Sequence, residues 1–249
     1  MRNLKRALSL ALAAIMLIGM MVVSACAVSY NDLTDKDQIV NKDAVSMLVS
    51  LGIIEGKPDG SYAPTENVDR AQMAKMLSVI MNKGVDNSAL YQSVNSGLTD
   101  ITSNWAKGHI NYCYTTGIIA GRGNGKFDPS ATVTALEAAK MLLVAVGYDP
   151  KIEGFEGADW AINVSVRADE QGIFEGFTKD LSAPLNRDDA ALLIYNALDV
   201  EMIQSYTTNN YPIVYSDHRT ILSDKYGVIK VQGVVVANEW ASLASDDGD

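Results

Sequence analysis

A gapless internal repeat with a period of 65 residues constrains this chain more than any other feature. Leu33-Thr34-Asp35 falls on Leu98-Thr99-Asp100, and Gly52-Ile53-Ile54-Glu55-Gly56 falls on Gly117-Ile118-Ile119-Ala120-Gly121. In the same register Asp59-Gly60 falls on Asn124-Gly125, Pro64 on Pro129, and Ala74-Lys75-Met76-Leu77 on Ala139-Lys140-Met141-Leu142. A third copy is more worn. Gly172-Ile173-Phe174-Glu175-Gly176 repeats the glycine-bracketed segment, and Trp160 stands 12 residues before Gly172 as Trp105 stands 12 before Gly117. Arg187 opens a helical pattern as Arg70 does. A unit repeated in this way cannot bury its apolar face alone, so the copies are expected to share one core.

Each copy reads as helix, loop, helix. In copy one the first helix is predicted over Gln38–Leu51, with Val40, Ala44, Val45, Leu48 and Val49 on one side and Gly52 as its stop. A Pro58-Asp59-Gly60 turn follows. Asp69 with Gln72 and Thr134 with Glu137 make capping boxes, and Asn186 with Asp189 approximates one. Val68, Val133 and Leu185 precede these caps as hydrophobic staples. The second helices carry apolar stripes at i, i+3, i+4, i+7. These are Ala74-Leu77-Ser78-Met81, Ala139-Leu142-Leu143-Val146 and Ala191-Ile194-Tyr195-Leu198. The predicted fold is mainly α, a pseudo-threefold assembly of three helix-loop-helix repeats over 33–84, 98–148 and 159–202.

The first 27 residues read as a secretory signal peptide. Arg2, Lys5 and Arg6 form a positive head, Leu8 to Val23 is apolar, and Ala25-Cys26-Ala27 is a small-x-small cleavage pattern. The alternative is an uncleaved anchor; no later stretch is apolar for long enough to span a bilayer. Val23-Ser24-Ala25-Cys26 also fits a lipobox, which would put a lipid on Cys26. The tether from there to Leu33 is short, which favours plain cleavage. Cleavage after Ala27 removes three of the 20 basic residues and leaves 17 against 30 acidic ones, a net −13. Such a surface repels nucleic acid and anionic lipid over long range. Cys113 is then the remaining cysteine, so no internal disulfide is expected, and its apolar helical setting marks it as core.

The combined pattern resembles the S-layer homology domain. It comprises a tryptophan near the first helix, Gly-Ile-Ile-x-Gly, an Asp-Gly turn, an aromatic, a proline, and a helix opening of the Thr-Arg-Ala-Glu type. The resemblance spans about Leu33 to Met202. It implies three repeats with grooves between them that bind secondary cell-wall polysaccharide, often capped by a pyruvylated amino sugar. Carried over by position, it implies glycan-binding roles for Arg70 and Arg187, for Trp105 and Trp160, and for Gly56, Gly121 and Gly176. Two departures stand out. Val40 occupies the tryptophan position of copy one, and Ala135 occupies the arginine position of copy two.

The residues themselves suggest a mechanism. Arg70 and Arg187 open their helices, where a cation opposes the macrodipole. A bound carboxylate would reverse that penalty, with helix-start amides and guanidinium converging on it. The alternative is that Arg70 pairs with Glu66 or Asp69, and Arg187 with Asp188 or Asp189. For Trp105 and Trp160 packing is favoured over sugar stacking. The three loop glycines are expected to supply backbone shapes closed to other residues.

Other chemistry finds little support. Gly121-Arg122-Gly123-Asn124-Gly125 lacks the Lys-Ser/Thr ending of a phosphate loop. Asp128 and its turn have the wrong spacing for an EF-hand. His109 and His218 are far apart with no cysteine or acidic cluster to match, so no metal site or cofactor is expected. His109 reads as a helix position.

The segment 206–249 is expected to be β-rich, with strands at Tyr211–Tyr215 and Lys225–Val236, a linker-like Tyr206–Pro212 stretch and a loose acidic tail, as if a module were beginning. The functional expectation is a non-catalytic protein of the cell wall or surface, with self-assembly left open. The alternatives are a structural or protein-interaction role for repeats that have lost the glycan, and an exported enzyme using the C-terminal piece.

Overall fold

The computed structural model describes residues 29–230. The expected signal peptide, Cys26 and half of the second expected strand (231–236) lie outside those residues. Among the described residues seven α-helices form the body: α1 (Lys42–Ser50), α2 (Arg70–Met81), α3 (Lys107–Thr115), α4 (Ala135–Val146), α5 (Trp160–Glu170), α6 (Arg187–Ala197) and α7 (Ile221–Tyr226). A two-stranded antiparallel hairpin, β1 (Ile203–Tyr206) and β2 (Pro212–Val214), precedes α7.

The second helices begin where their caps predict. The Asp69 and Thr134 side chains accept from the Gln72 and Glu137 amides, and both reciprocal bonds are made. Asn186 accepts from the Asp189 amide, but Asp189 turns to Lys179 instead of back to the cap. The stripes face inward, with Met81 and Tyr195 only partly buried.

The three pre-cap residues do more than staple. Val68 N–H donates to Leu185 C=O at 2.8 Å, Leu185 N–H to Val133 C=O at 2.8 Å, and Val133 N–H to Val68 C=O at 2.9 Å. This closed triangle of backbone bonds is the pseudo-threefold axis, and all three side chains are buried.

Helices pair between units. The first helix of each unit packs on the second helix of the preceding one: α3 on α2, α5 on α4, and α1 back on α6. The last contact closes the ring. Asp188 in the first turn of α6 accepts from the Asn41 backbone N–H at 3.2 Å and from its Nδ2 at 3.0 Å. One core therefore runs through all three units.

Two expectations are corrected. The first helix starts at Lys42, after a separate 3-10 turn over Lys36–Gln38, because Ile39 rather than Val40 turns into the core. Val40 is 82% exposed. The C-terminal segment does carry a small sheet, with Pro212–Val214 inside the strand expected over Tyr211–Tyr215, but its second expected strand begins as helix. Lys225 and Tyr226 end a helix that Thr220 caps, where a strand was expected. What is described of this segment packs on the helical body: Leu222 N–H donates to Leu198 C=O, and Tyr226 O–H to Ile80 C=O.

Candidate functional site

In the first two units the loop folds back onto a repeated aspartate. The Asp35 carboxylate accepts from the amides of Tyr62 and Ala63, both at 2.7 Å. Asp100 accepts from Phe127 at 2.9 Å and from Asp128 at 2.8 Å. These pairs hold Ala63 and Asp128 at φ 58° and 61°, a region non-glycine residues rarely occupy. Burial pushes the Asp100 carboxyl up, but the two amides outweigh it and leave it below its ordinary value. The Leu-Thr-Asp repeat was visible in the sequence; its role was not.

Each anchored aromatic receives an arginine from another unit. Arg70 Nε donates to Phe127 C=O at 2.8 Å, and its guanidinium carbon lies 4.4 Å from the centre of the Phe127 ring. Nη2 donates to Ala120 C=O at 2.7 Å. Arg187 Nε donates to Tyr62 C=O at 2.7 Å, with its guanidinium carbon 4.8 Å from the Tyr62 ring centre. Tyr62 O–H in turn donates to Arg187 C=O at 2.6 Å. Burial lowers the Arg70 pKa to about 10, with nearby Arg122 adding to the effect.

The expected convergence of helix-start amides on a ligand is not found. The amides of Arg70 and Ala71 donate to Ala131 and Pro129 carbonyls, and those of Arg187 and Asp188 to Glu66 and Pro64. Capping occupies the next donor in each helix. The neighbouring unit thus satisfies the orphan donors itself. Neither arginine pairs with the carboxylates considered for it.

Two clefts result, related by the pseudo-threefold axis. Cleft A, of 340 Å³, is lined by the Ile118–Arg122 loop, by Glu137, Lys140 and Met141 of α4, by Trp160 of α5 and by Arg70 of α2. Cleft B, of 260 Å³, is lined by the Ile53–Pro58 loop, by Gln72, Lys75 and Met76 of α2, by Trp105 and by Arg187 of α6. Each draws its loop, its tryptophan and its arginine from three different units. The same operation puts Val40 and Ala135 at the third seam, where Lys179 is already paired with Asp189. The two departures from the repeat pattern therefore fall on one seam and leave two clefts with complete sets.

Trp105 is 58% exposed, so the packing role favoured for it is wrong. Its ring stands edge-on to His109, 6.4 Å away. Trp160 is half-buried against the core and faces cleft A. The glycines differ. Gly176 has φ +77°. Gly121 has no such need, but a Cβ there would meet Lys126 C=O at 2.9 Å. Gly56 lies outside the left-handed region, contrary to expectation, although it lines cleft B. Arg122 pairs with Glu137 at 2.6 Å, Lys75 with Glu55 at 2.9 Å, and Lys57 with Glu66. Among the described residues no group of three or more His, Cys, Asp and Glu could hold a metal, and no helix is long and apolar enough to cross a membrane.

Comparison with known proteins agrees with the repeat. Residues 29–74 and 97–139 match the S-layer homology domain. The "Cell surface protein" of Thermoanaerobacter kivui is 31% identical over 209 residues, which cover 82% of this chain and 26% of that protein. The "Middle cell wall protein" of Brevibacillus brevis is 27% identical over 206 residues, 82% of this chain and 18% of that protein. "Exoglucanase XynX" of Acetivibrio thermocellus is 27% identical over 188 residues, 70% of this chain and 16% of that protein. The chain thus spans about a quarter or less of the length of these relatives.

Proposed function

We propose that this chain anchors its protein at the cell surface by binding secondary cell-wall polysaccharide, without catalysis of its own. The chief support is the composition of the two clefts. The chain carries a net charge of −10, yet each cleft gathers three cations beside a tryptophan: Arg70, Arg122 and Lys140 in cleft A, and Lys57, Lys75 and Arg187 in cleft B. Cations beside an aromatic face suit a sugar bearing a carboxylate, such as a pyruvate ketal. In this reading the worn third copy is a third S-layer homology repeat. It supplies Arg187 to cleft B and Trp160 to cleft A, so losing it would empty both clefts of a partner.

Two clefts on one polymer would gain through effective concentration, which suits anchoring by individually modest sites. Surface and cell-wall relatives and an exoglucanase share this stretch of sequence, as an anchor attached to varied partners would. A pull-down on cell-wall sacculi tests the reading. Binding is expected to sacculi that keep their attached polymer and to vanish once the polymer is stripped. Equal binding to stripped sacculi would overturn it and favour a protein or peptidoglycan partner.

A further inference from the structure

We infer that the two clefts hold their anion with different residues, Lys140 in cleft A and Arg187 in cleft B, while Arg70 serves as a clamp between units. This rests on the polysaccharide reading and assigns the contacts within it.

Symmetry alone would give both arginines the same task, yet their surroundings differ. Arg70 is 3% exposed, and two of its three nitrogens are spent on the carbonyls of Phe127 and Ala120. Those bonds tie the start of α2 to the loop of the next unit. Arg187 spends only Nε, on Tyr62, and its two terminal nitrogens make no hydrogen bond among the described residues. It lines cleft B while only half-buried.

The lysines show the reverse pattern. Lys75, in cleft B, is held by Glu55 at 2.9 Å. The equivalent of Glu55 in cleft A is Ala120, which offers only its carbonyl, and that carbonyl is taken by Arg70. Lys140 therefore has no carboxylate or carbonyl partner among the described residues; its ammonium lies 5.7 Å from the centre of the Trp160 ring. Glu156 also lines this cleft, but not within salt-bridge distance. Burial lowers the Lys140 pKa, Glu156 opposes this, and Arg70 adds to it. An ammonium half-buried on a tryptophan face, beside a second cation, is relieved by an incoming anion. One substitution between the copies, Glu55 against Ala120, thus redistributes the work.

The test uses the indole N–H resonances of Trp160 and Trp105 as separate reporters, titrated with the methyl glycoside of an amino sugar that carries a pyruvate ketal. Lys140→Gln is expected to weaken the Trp160 response about tenfold, the loss of one charge-assisted hydrogen bond, and to spare Trp105. Arg187→Gln should do the converse, and Lys75→Gln, which removes an ammonium already held by Glu55, should move the Trp105 midpoint far less than Arg187→Gln does. Lys140→Gln should also keep the wild-type melting temperature, whereas Arg70→Gln should lower it. An unchanged Trp160 midpoint in Lys140→Gln, or a Trp105 shift in Lys75→Gln as large as in Arg187→Gln, overturns the assignment alone. Silence of both indoles in the wild-type protein overturns the polysaccharide reading and the assignment with it.

Discussion

Val68 N–H donates to the carbonyl of Leu185 at 2.8 Å, joining the first unit to the last across 117 residues of chain. That bond, with the packing of α1 on α6, makes the molecule a closed ring rather than an open array. In an open array each repeat leans only on its neighbours and stability accrues unit by unit. Here the first helix of the first unit, α1, lacks its partner helix until the third unit has folded.

Truncation tests the closure. A chain ending at Asp180 loses Leu185, Asp188 and the whole of α6, which leaves the buried face of α1 uncovered. It should lose cooperative urea unfolding and much of its helical far-UV signal. A truncated protein that melts like the full chain would show that the units are independent.

Asp100 supplies a second expectation. Asp100→Ala strips the acceptor from the amides of Phe127 and Asp128 and loosens the platform on which Arg70 lies. A cost of about 1–3 kcal/mol is expected in urea denaturation. The amides hold this carboxyl below its ordinary value, so its contribution is present above the unfolded carboxylate value near ~4 and is lost as pH falls through the lowered folded value. Asp100→Asn should therefore show a shallower loss of stability in that acid range than wild type. Parallel curves would contradict the assignment.

His109 supplies a third, in a milder range. It is 3% exposed, its Nδ1 lies 2.6 Å from Ser78 Oγ, and its Nε2 lies 3.6 Å from an Asp86 carboxylate oxygen. Burial lowers its pKa from the ordinary 6.5; Asp86 opposes this and Lys75 adds to it. The unfolded chain therefore binds the proton more readily. Stability should be full above pH 6.5 and fall on acidification until the lowered folded pKa is reached. His109→Gln should flatten that segment of the profile, read as the urea midpoint against pH. A profile equally steep in the variant would place the proton elsewhere.

Much of this architecture is written locally. The capping pairs at Asp69 and Thr134 and the stripes of α2, α4 and α6 depend on residues three or four apart, and those spacings are legible in sequence. The clefts are not legible in that way. Each draws on three units, so reading the copies one at a time makes Val40 and Ala135 look like damage to two sites. Packing between units places both on one seam. Val40 faces solvent, against its place in the apolar pattern, because the 3-10 turn at Lys36–Gln38 shifts the helix start and hands the inward position to Ile39. The amides of Arg70 and Arg187 looked free because their acceptors, Ala131 and Glu66, lie in other repeats. Asp35 and Asp100 were visible as repeated letters, yet their partners depend on how the loop returns.

The most direct measurement is a crystal structure of the protein with a short pyruvylated fragment of the wall polymer. Sugar density is expected in two places, beside Trp160 with Lys140 and beside Trp105 with Arg187, with an empty seam between Val40 and Ala135. Density at that third seam, or sugar bound only away from both tryptophans, would contradict that expectation.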